Sequence, residues 1–400
     1  MREGWELKKL GDVCDFVQGI QRGVKLQSIT QKGTQVRFLR IVDYTQGNEL
    51  PRYIDFPGDK YILNKDDIAL VRYGASTGFV CKGLVGALAN NLFRVIPKKD
   101  IELRNDFLFL FLTSSLFQNI VKQSMNGAAM PAISFSIIKD IPIYLIPLKE
   151  QKQIVSTLDK AFKQIDQAKA NLEQNLHNAK ELFQSKLNEV FSQRGEGWVE
   201  KSLKEITTKI GSGSTPRGGQ ATYKESGISL IRSMNVHDDG FREKKLAFID
   251  DEQALKLKNV TLEKDDVLLN ITGASVARCC IVPDEFLPAR VNQHVSIIRL
   301  EKGILHPSYL HYCLTAQENK NKLLNIGRQG ATREAITKVQ IENFIVSYPK
   351  DMNKQLEVLE ELNVIKVKSS LLQTHYQQKL NNLEELKKSI LQKAFRGELT

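Results

Sequence analysis

ELFQSKLNEVF, residues 181–191, returns as ELKKSILQKAF at residues 385–395, an offset of 204. Working outward, the chain keeps repeating itself. GWELKKL (4–10) returns as GWVEKSL (197–203), at an offset of 193. Asp66-Asp67 with Gly74-Ala75-Ser76 returns as Asp265-Asp266 with Gly273-Ala274-Ser275, and Gly127-Ala128 with Ile133 as Gly330-Ala331 with Ile336. The offset grows slowly along the chain, as small loop insertions make it. A repeat this long is a duplicated domain, because solenoid periods run only to tens of residues. Two similar units in one chain can act as a pseudo-dimer, presenting two similar surfaces to one target.

Each half has two zones. In the first, VRFLRIV (36–42), DIALVRY (67–73) and LFRVIP (92–97) carry the β-branched and aromatic content of strands. ISLIRSM, DVLLNIT and HVSIIRL play that part in the second half. FLFLFLTSSLFQNIVKQS (107–124) and YLHYCLTAQENKNKLL (309–324) read as matching helices. These zones are α+β, each with a curved sheet.

The second zone of each half lacks proline and is rich in Gln, Lys, Glu and Leu. Leu158, Ile165, Leu172 and Ala179 recur every seven residues, and Leu176, Phe183 and Val190 form a second row. In the other copy Val358, Ile365 and Leu372 run beside Leu362, Tyr376, Leu383 and Ile390. A seven-residue apolar repeat is a coiled-coil seam. Each helix would reach roughly 65 Å, which demands a partner helix, and the other copy is the obvious one. The expected organisation is a globular domain at 1–148, a central helix at 149–195, a second globular domain at 196–350 and a C-terminal helix at 351–400. The helices pair antiparallel and both join and separate the domains, with pseudo-two-fold symmetry.

The 400 residues suffice for two full cores, and 42% are hydrophobic. The net charge of +11 favours a polyanionic partner. No apolar run approaches the ~18 residues of a membrane span, so no membrane partner is expected. The N-terminus has no signal-peptide character. Five cysteines without C-x-x-C spacing read as buried or free thiols in a reducing cytoplasm, the vicinal pair Cys279-Cys280 as strand core. No Gly-Lys dipeptide offers a phosphate loop, no Pro-Pro offers an amino-methyltransferase element, and no H-x-x-x-H pair offers a metal. A nuclease-like site could be assembled only from Pro283-Asp284 and Glu318-Asn319-Lys320, at a generic spacing. The chain therefore reads as a binder, with no catalytic residue and no metal ligand of its own.

Polar clusters fall at matching places in both halves. Gln18, Arg22 and Lys25 lie opposite Ser212, Ser214, Thr215 and Arg217; Arg40 and Tyr44 lie opposite Arg232 and Asn235. Arg72 and Ser76 match Asn270, Thr272, Ser275 and Arg278. Asn90 and Asn91 match Asn292, Gln293 and His294, and Asn126 matches Arg328, Gln329 and Arg333. Arg, Asn and Gln can make bidentate contacts to base edges, while Lys, Ser and Thr more often hold phosphates. For each residue the structural alternative is a solvated loop or turn. The frame positions agree between copies and the loops differ, GIQRGVK against GSGSTPRG, as two different specificities would leave them.

At this point the chain resembles the specificity subunit of type I restriction-modification systems. The residues that carry the resemblance are the GW-x-x-x-x-L openings, GSGSTP (211–216), Ile271-Thr272-Gly273 with Asn292 to Val295, IKDIPIYLIPLKEQKQIVSTLD (138–159) and SILQKAFRGEL (389–399). They span nearly the whole chain, in duplicate. The first copy departs from the pattern at Asn90-Asn91-Leu92-Phe93 and lacks the Ser-Thr-Pro element. The resemblance implies two target-recognition domains, each reading half of a bipartite, asymmetric site on double-stranded DNA. It implies a coiled coil that sets the gap between the half-sites, and two similar domains on a pseudo-two-fold rod can meet one face of a duplex about one helical turn apart, ~34 Å. It also implies that helices bearing Leu158, Ile165, Leu172, Phe183, Ile365, Leu372, Leu383 and Ile390 dock two methyltransferase (M) subunits, which restriction (R) subunits join. S-adenosylmethionine, ATP and magnesium would belong to those partners, and no cofactor to this chain. The competing reading is a coiled-coil scaffold without DNA readout.

Overall fold

The computed structural model describes residues 4–125, 132–193, 195–216, 218–328 and 334–399. The chain divides into two compact units: Met1–Glu173 with Gln378–Thr400, and Gln174–Gln377. Both long helices, Leu148–Ser192 and Met352–Phe395, are therefore shared, each contributing one end to each unit.

In the first unit, Glu6–Lys9 pairs antiparallel with Pro142–Leu145. A four-stranded sheet follows in the order Cys14–Gln18, Leu92–Pro97, Ile68–Val71, Val80–Cys81. A second sheet is built around Val36–Leu39, which runs parallel to Gly86–Leu88. Alternation along a strand sends successive side chains to opposite faces. Ile68 and Leu70 accordingly face Phe107, Phe111 and Phe117 of the helical layer, while Ala69 and Val71 meet Leu39 and Leu88 of the second sheet. Ile154, Val155 and Leu158 of the central helix close the helical core, together with Leu391, Ala394 and Phe395 of the C-terminal helix.

The second unit repeats this plan. Trp198–Ser202 pairs with Ile345–Pro349. The main sheet runs Thr207–Ser212, Val295–Leu300, Val267–Asn270, Cys279–Ile281, and Ile228–Ile231 lies parallel to Ala289–Val291 in the other sheet. Leu187, Val190 and Phe191 of the central helix and Leu359 and Leu362 of the C-terminal helix close its core. Cys279 faces the helical core and Cys280 the inter-sheet core, so the vicinal thiols point apart. All five cysteines are buried and unpaired with one another.

The long helices run antiparallel within each unit. In the first, Asp166 meets Lys387 at 2.8 Å and Lys169 meets Glu384 at 2.5 Å. In the second, Ser369 Oγ donates to the Ala179 carbonyl at 2.6 Å and Lys186 meets Glu361 at 2.9 Å. Among the described residues no helix is long and apolar enough to cross a membrane.

Two sequence expectations are corrected. The helix expected over 107–124 is two helices, Asn105–Thr113 and Ser115–Ser124. Ser114 between them is extended (φ −68°, ψ 154°) and fully buried, and its hydroxyl donates to the Phe111 carbonyl at 2.6 Å. The same break falls at Ala316 in the second copy. The strand expected over 36–42 ends at Leu39, because the Arg40 N–H donates to Asp43 Oδ2 at 2.8 Å and starts a helix at Ile41.

Candidate nucleic-acid interface

One end of each main sheet gathers the polar clusters. The first strand of the sheet leaves through a glycine, Gly19 or Gly213, whose N–H donates to the Leu92 carbonyl at 3.0 Å or the Asn292 carbonyl at 3.2 Å. A Cβ on Gly19 would sit 2.1 Å from the Ala89 oxygen, and one on Gly213 only 1.7 Å from the Val291 oxygen. Only glycine lets the backbones approach this closely. The opening loop is thereby pressed onto the 88–92 or 291–295 turn. The segment after the third strand joins them. The Arg72 N–H donates to the Asn91 carbonyl at 2.9 Å, and Ile133 N–H to the Arg72 carbonyl at 2.8 Å. In the second copy Ile271 N–H reaches the His294 carbonyl at 2.9 Å, and Gly273 N–H the Glu334 carbonyl at 3.0 Å. Loops far apart in sequence thus converge twice on the same frame.

The side chains divide into two groups. In the first copy Gln18, Arg22 and Lys25 are exposed, with Gln18 Nε2 3.4 Å from the Asn90 carbonyl. Arg72 lies over the Phe135 ring, 5.5 Å from its centroid, and Ser76, Asn90 and Asn91 are half-buried around it. Arg40 is spent locally: its guanidinium bonds the buried Asp43 carboxylate at 3.0 Å and the Leu50 carbonyl at 2.9 Å. The Tyr44 hydroxyl is buried, and burial pushes its pKa up.

In the second copy Ser212, Ser214 and Gln293 are exposed, and Thr215 donates to the Gln293 side-chain oxygen. Thr272 shares a hydrogen bond with His294 Nδ1 at 2.5 Å, and Ser275 and Arg278 are half-buried beside them. Arg328 is exposed and paired with Glu334 at 3.1 Å. Arg232 stacks on Tyr223 at 5.3 Å and bonds the Lys245 carbonyl. Asn235 and Asn270 are fully buried, donating to the Arg242 carbonyl at 2.8 Å and the Ser233 carbonyl at 2.9 Å. Asn292 is buried and accepts the His294 N–H at 3.1 Å. As placed, these three asparagines bind the protein's own backbone rather than a base. Asn126, Arg217, Gln329 and Arg333 lie outside the described residues.

The nuclease-like grouping does not assemble. Asp284 pairs with Lys264 at 2.9 Å and Glu318 with Lys322 at 2.7 Å, while Lys320 pairs with Asp238.

Of the helix positions, Leu158 and Ile165 are buried, and Leu172, Phe183, Ile365, Leu383 and Ile390 are partly buried. Phe183 meets the Tyr312 ring edge-on at 5.7 Å. These side chains hold the helices to each other and to their cores. Leu372 is corrected: it is 37% exposed and lies off the seam, which passes through Ser369, Tyr376 and Leu380. A hydroxyl at Ser369 interrupts the apolar repeat, so a reading that counts only apolar residues slips there.

Sequence reasoning also missed a matched pair of buried glutamines. Gln151 accepts the Arg104 N–H at 2.9 Å and donates to the Glu102 and Ile146 carbonyls at 2.7 and 2.8 Å. Gln355 does the same with His306, Ile304 and Pro349, at 2.9, 3.1 and 2.8 Å. Each staples the start of a long helix to the globular domain before it. Their signal was available, since both sit at the offset of the helix repeat. Asp67 and Asp266, a match already visible in the sequence, bond Arg94 at 2.7 Å and Arg299 at 2.8 Å from the residue just before the third strand of each main sheet.

This doubled end, on a doubled frame, agrees with the comparisons to known proteins. Residues 2–178 and 195–385 each match the family described as the type I restriction modification DNA specificity domain. The chain belongs to that family. DNA specificity, not catalysis, is the work of such a specificity chain. It is similar to the type I restriction enzyme MjaVIII specificity subunit of Methanocaldococcus jannaschii, 22% identical across 99% of this chain and 93% of the relative. Its fold is that of the HsdS subunit from Thermoanaerobacter tengcongensis, with a TM-score of 0.61, 19% identity and coverage of 100% and 98%. A chain from a structure of type I R-M system assembly and conformational transition superposes at a TM-score of 0.78, with 20% identity and coverage of 100% and 99%.

Proposed function

We infer that each unit of this specificity chain reads one half of a bipartite, asymmetric sequence in double-stranded DNA. The observation that carries the reading is the convergence of the same loops at one end of each main sheet, on matched glycines, with different exposed side chains in the two copies. A frame kept constant under varied loops is what two distinct half-sites require. The +11 net charge supplies salt-sensitive, sequence-independent affinity, and the loops supply the address.

The long helices fix the gap between half-sites and hold two methyltransferase subunits, which restriction subunits join. S-adenosylmethionine, ATP and magnesium belong to those partners. Five buried cysteines, none joined to another in a disulfide, support a cytoplasmic setting.

Mapping of methylated adenines in cells that make the complex tests this directly. The expected motif has two parts and a fixed gap. Exchanging residues 1–148 for another recognition domain changes one part alone; a change in both parts, or in neither, refutes the two-reader function. Adding one heptad to both helices alters the gap or abolishes assembly, and an unchanged motif would sink the ruler role. A coiled-coil scaffold without readout predicts no sequence-specific DNA affinity at any salt concentration.

A further inference from the structure

The opening loop of the first copy carries an unusual surface. Val24, Leu26 and Ile29 are 75%, 67% and 58% exposed, within six residues of one another. The loop is nevertheless firmly built. Val24–Leu26 forms a 3-10 turn, with the Leu26 N–H on the Gly23 carbonyl at 2.9 Å. Gln27 Nε2 donates to the Arg22 carbonyl at 2.8 Å. Ser28 exchanges both backbone bonds with Tyr53, at 3.0 and 2.8 Å, and its hydroxyl reaches Gln35 at 2.7 Å. A loop this well bonded does not fold its apolar tip away.

Its place and charge say what the tip meets. The chain enters it straight from Gly19 and Ile20, and the Ile20 N–H is bonded to the Leu88 carbonyl at 2.8 Å, so the loop springs from the recognition end. Arg22 and Lys25, both exposed, interleave with the apolar residues. The corresponding stretch of the second copy, GSGSTPRGGQATYKE (211–225), has one large apolar side chain, Tyr223, and that ring is packed against the inter-sheet core and under Arg232 instead of standing exposed. An apolar tip flanked by cations matches the major groove, where phosphates border base edges and the thymine C5 methyl is the one apolar group on offer.

We propose that Val24, Leu26 and Ile29 read thymine methyl groups in the half-site of the first unit, with Arg22 and Lys25 holding the adjoining phosphates. This rests on the reading of that unit as a DNA reader. The second unit lacks the device and reads its half-site by polar contacts.

The test uses wild-type protein: the full-length chain with its methyltransferase subunits, bound to duplexes carrying its methylation motif. Each thymine of the first half-site, on either strand, is replaced singly by deoxyuridine, which removes only the methyl. Binding should weaken about fourfold at one or more positions, the worth of one buried methyl-sized group. The variant Val24→Ser with Leu26→Ser and Ile29→Ser should bind the thymine and uracil duplexes equally, and substitutions in the second half-site should have no effect in either protein. Motif-specific binding that is indifferent to every uracil overturns the proposal and leaves the DNA-reading function standing. A first half-site without any A·T pair overturns it equally. If the triple variant keeps its uracil sensitivity, or loses its methyltransferase subunits while keeping DNA specificity, the tip has another role and the proposal fails. Absence of any sequence-specific binding would overturn both readings.

Discussion

Phe395→Ala, five residues before Thr400, should destabilise the N-terminal unit and spare the unit that precedes it in sequence. Phe395 is buried, with its ring 5.1 Å from Phe107 and 5.6 Å from Phe111, both in the first recognition domain. Truncating a buried phenylalanine costs about 3–5 kcal/mol, including the cavity. Two aromatic pairs are lost with it, which places this site in the upper part of that range. Phe191→Ala is the mirror experiment, since its ring lies 5.1 Å from Tyr309 of the second domain. The assay is urea unfolding followed by single tryptophans. Trp5 reports the first unit and Trp198 the second, and each is isolated by replacing the other with Phe. With a urea slope of about 2 kcal/mol per molar, 4 kcal/mol moves a midpoint by about 2 M. Phe395→Ala should lower the midpoint seen by Trp5, and Phe191→Ala the midpoint seen by Trp198. If Phe395→Ala shifts only Trp198, each core closes with its own copy's helix, and the crossed arrangement is wrong.

Three further outcomes follow from the same contacts. Gln355→Leu removes one fully buried and two partly buried hydrogen bonds, which should cost the second unit about 3 kcal/mol by urea unfolding; Gln355→Glu keeps the acceptor but places a carboxylate against two carbonyls, so it should lose further stability as pH rises. Burial pushes the His311 imidazole down to about 4 from an ordinary 6.5, with Lys366 adding to the shift. The native state therefore binds fewer protons than the unfolded chain over that window, so stability is full above pH 6.5 and falls by about 3 kcal/mol as pH drops through 4; His311→Gln should flatten this slope, and an unchanged slope refutes the assignment. Gly213→Ala would drive a methyl into the Val291 carbonyl, so methylation mapping should show the second half-site degraded and the first intact.

The duplication, the α+β zones and the paired helices were legible because they rest on period and spacing, which a sequence displays directly. The break at Ser114 was not, since SS inside an apolar run looks like a tolerated polar step until the hydroxyl is seen bonding the Phe111 carbonyl. The seam was read one row off at Leu372 because a serine, not a leucine, holds the closest approach to Ala179. Within the candidate interface, residue type pointed to loops that the fold brings together and was blind to orientation. Asn235, Asn270 and Asn292 have the chemistry to read bases, but burial turns them onto carbonyls and N–H groups of their own loops. Conversely Val24, Leu26 and Ile29 drew no attention in a search for polar readers, and only their exposure marks them.

Arg40 and Arg232 show how agreement between the copies should be weighed. Both arginines occupy the same step after a core strand, and that made them look like readers. Each instead starts a turn by donating its N–H to the residue three positions on, Asp43 at 2.8 Å or Asn235 at 3.1 Å. Each also spends its guanidinium on a backbone carbonyl, of Leu50 or of Lys245. Two domains that read different half-sites have no use for the same reader in both, whereas two domains with one frame must solve the same turn twice. Agreement between copies therefore measures what the fold needs. What the DNA needs must be sought where side chains are exposed and the copies differ: Gln18 against Ser212, the tip carrying Arg22, Val24, Lys25, Leu26 and Ile29 against Ser214, and Gln293 against the half-buried Asn90.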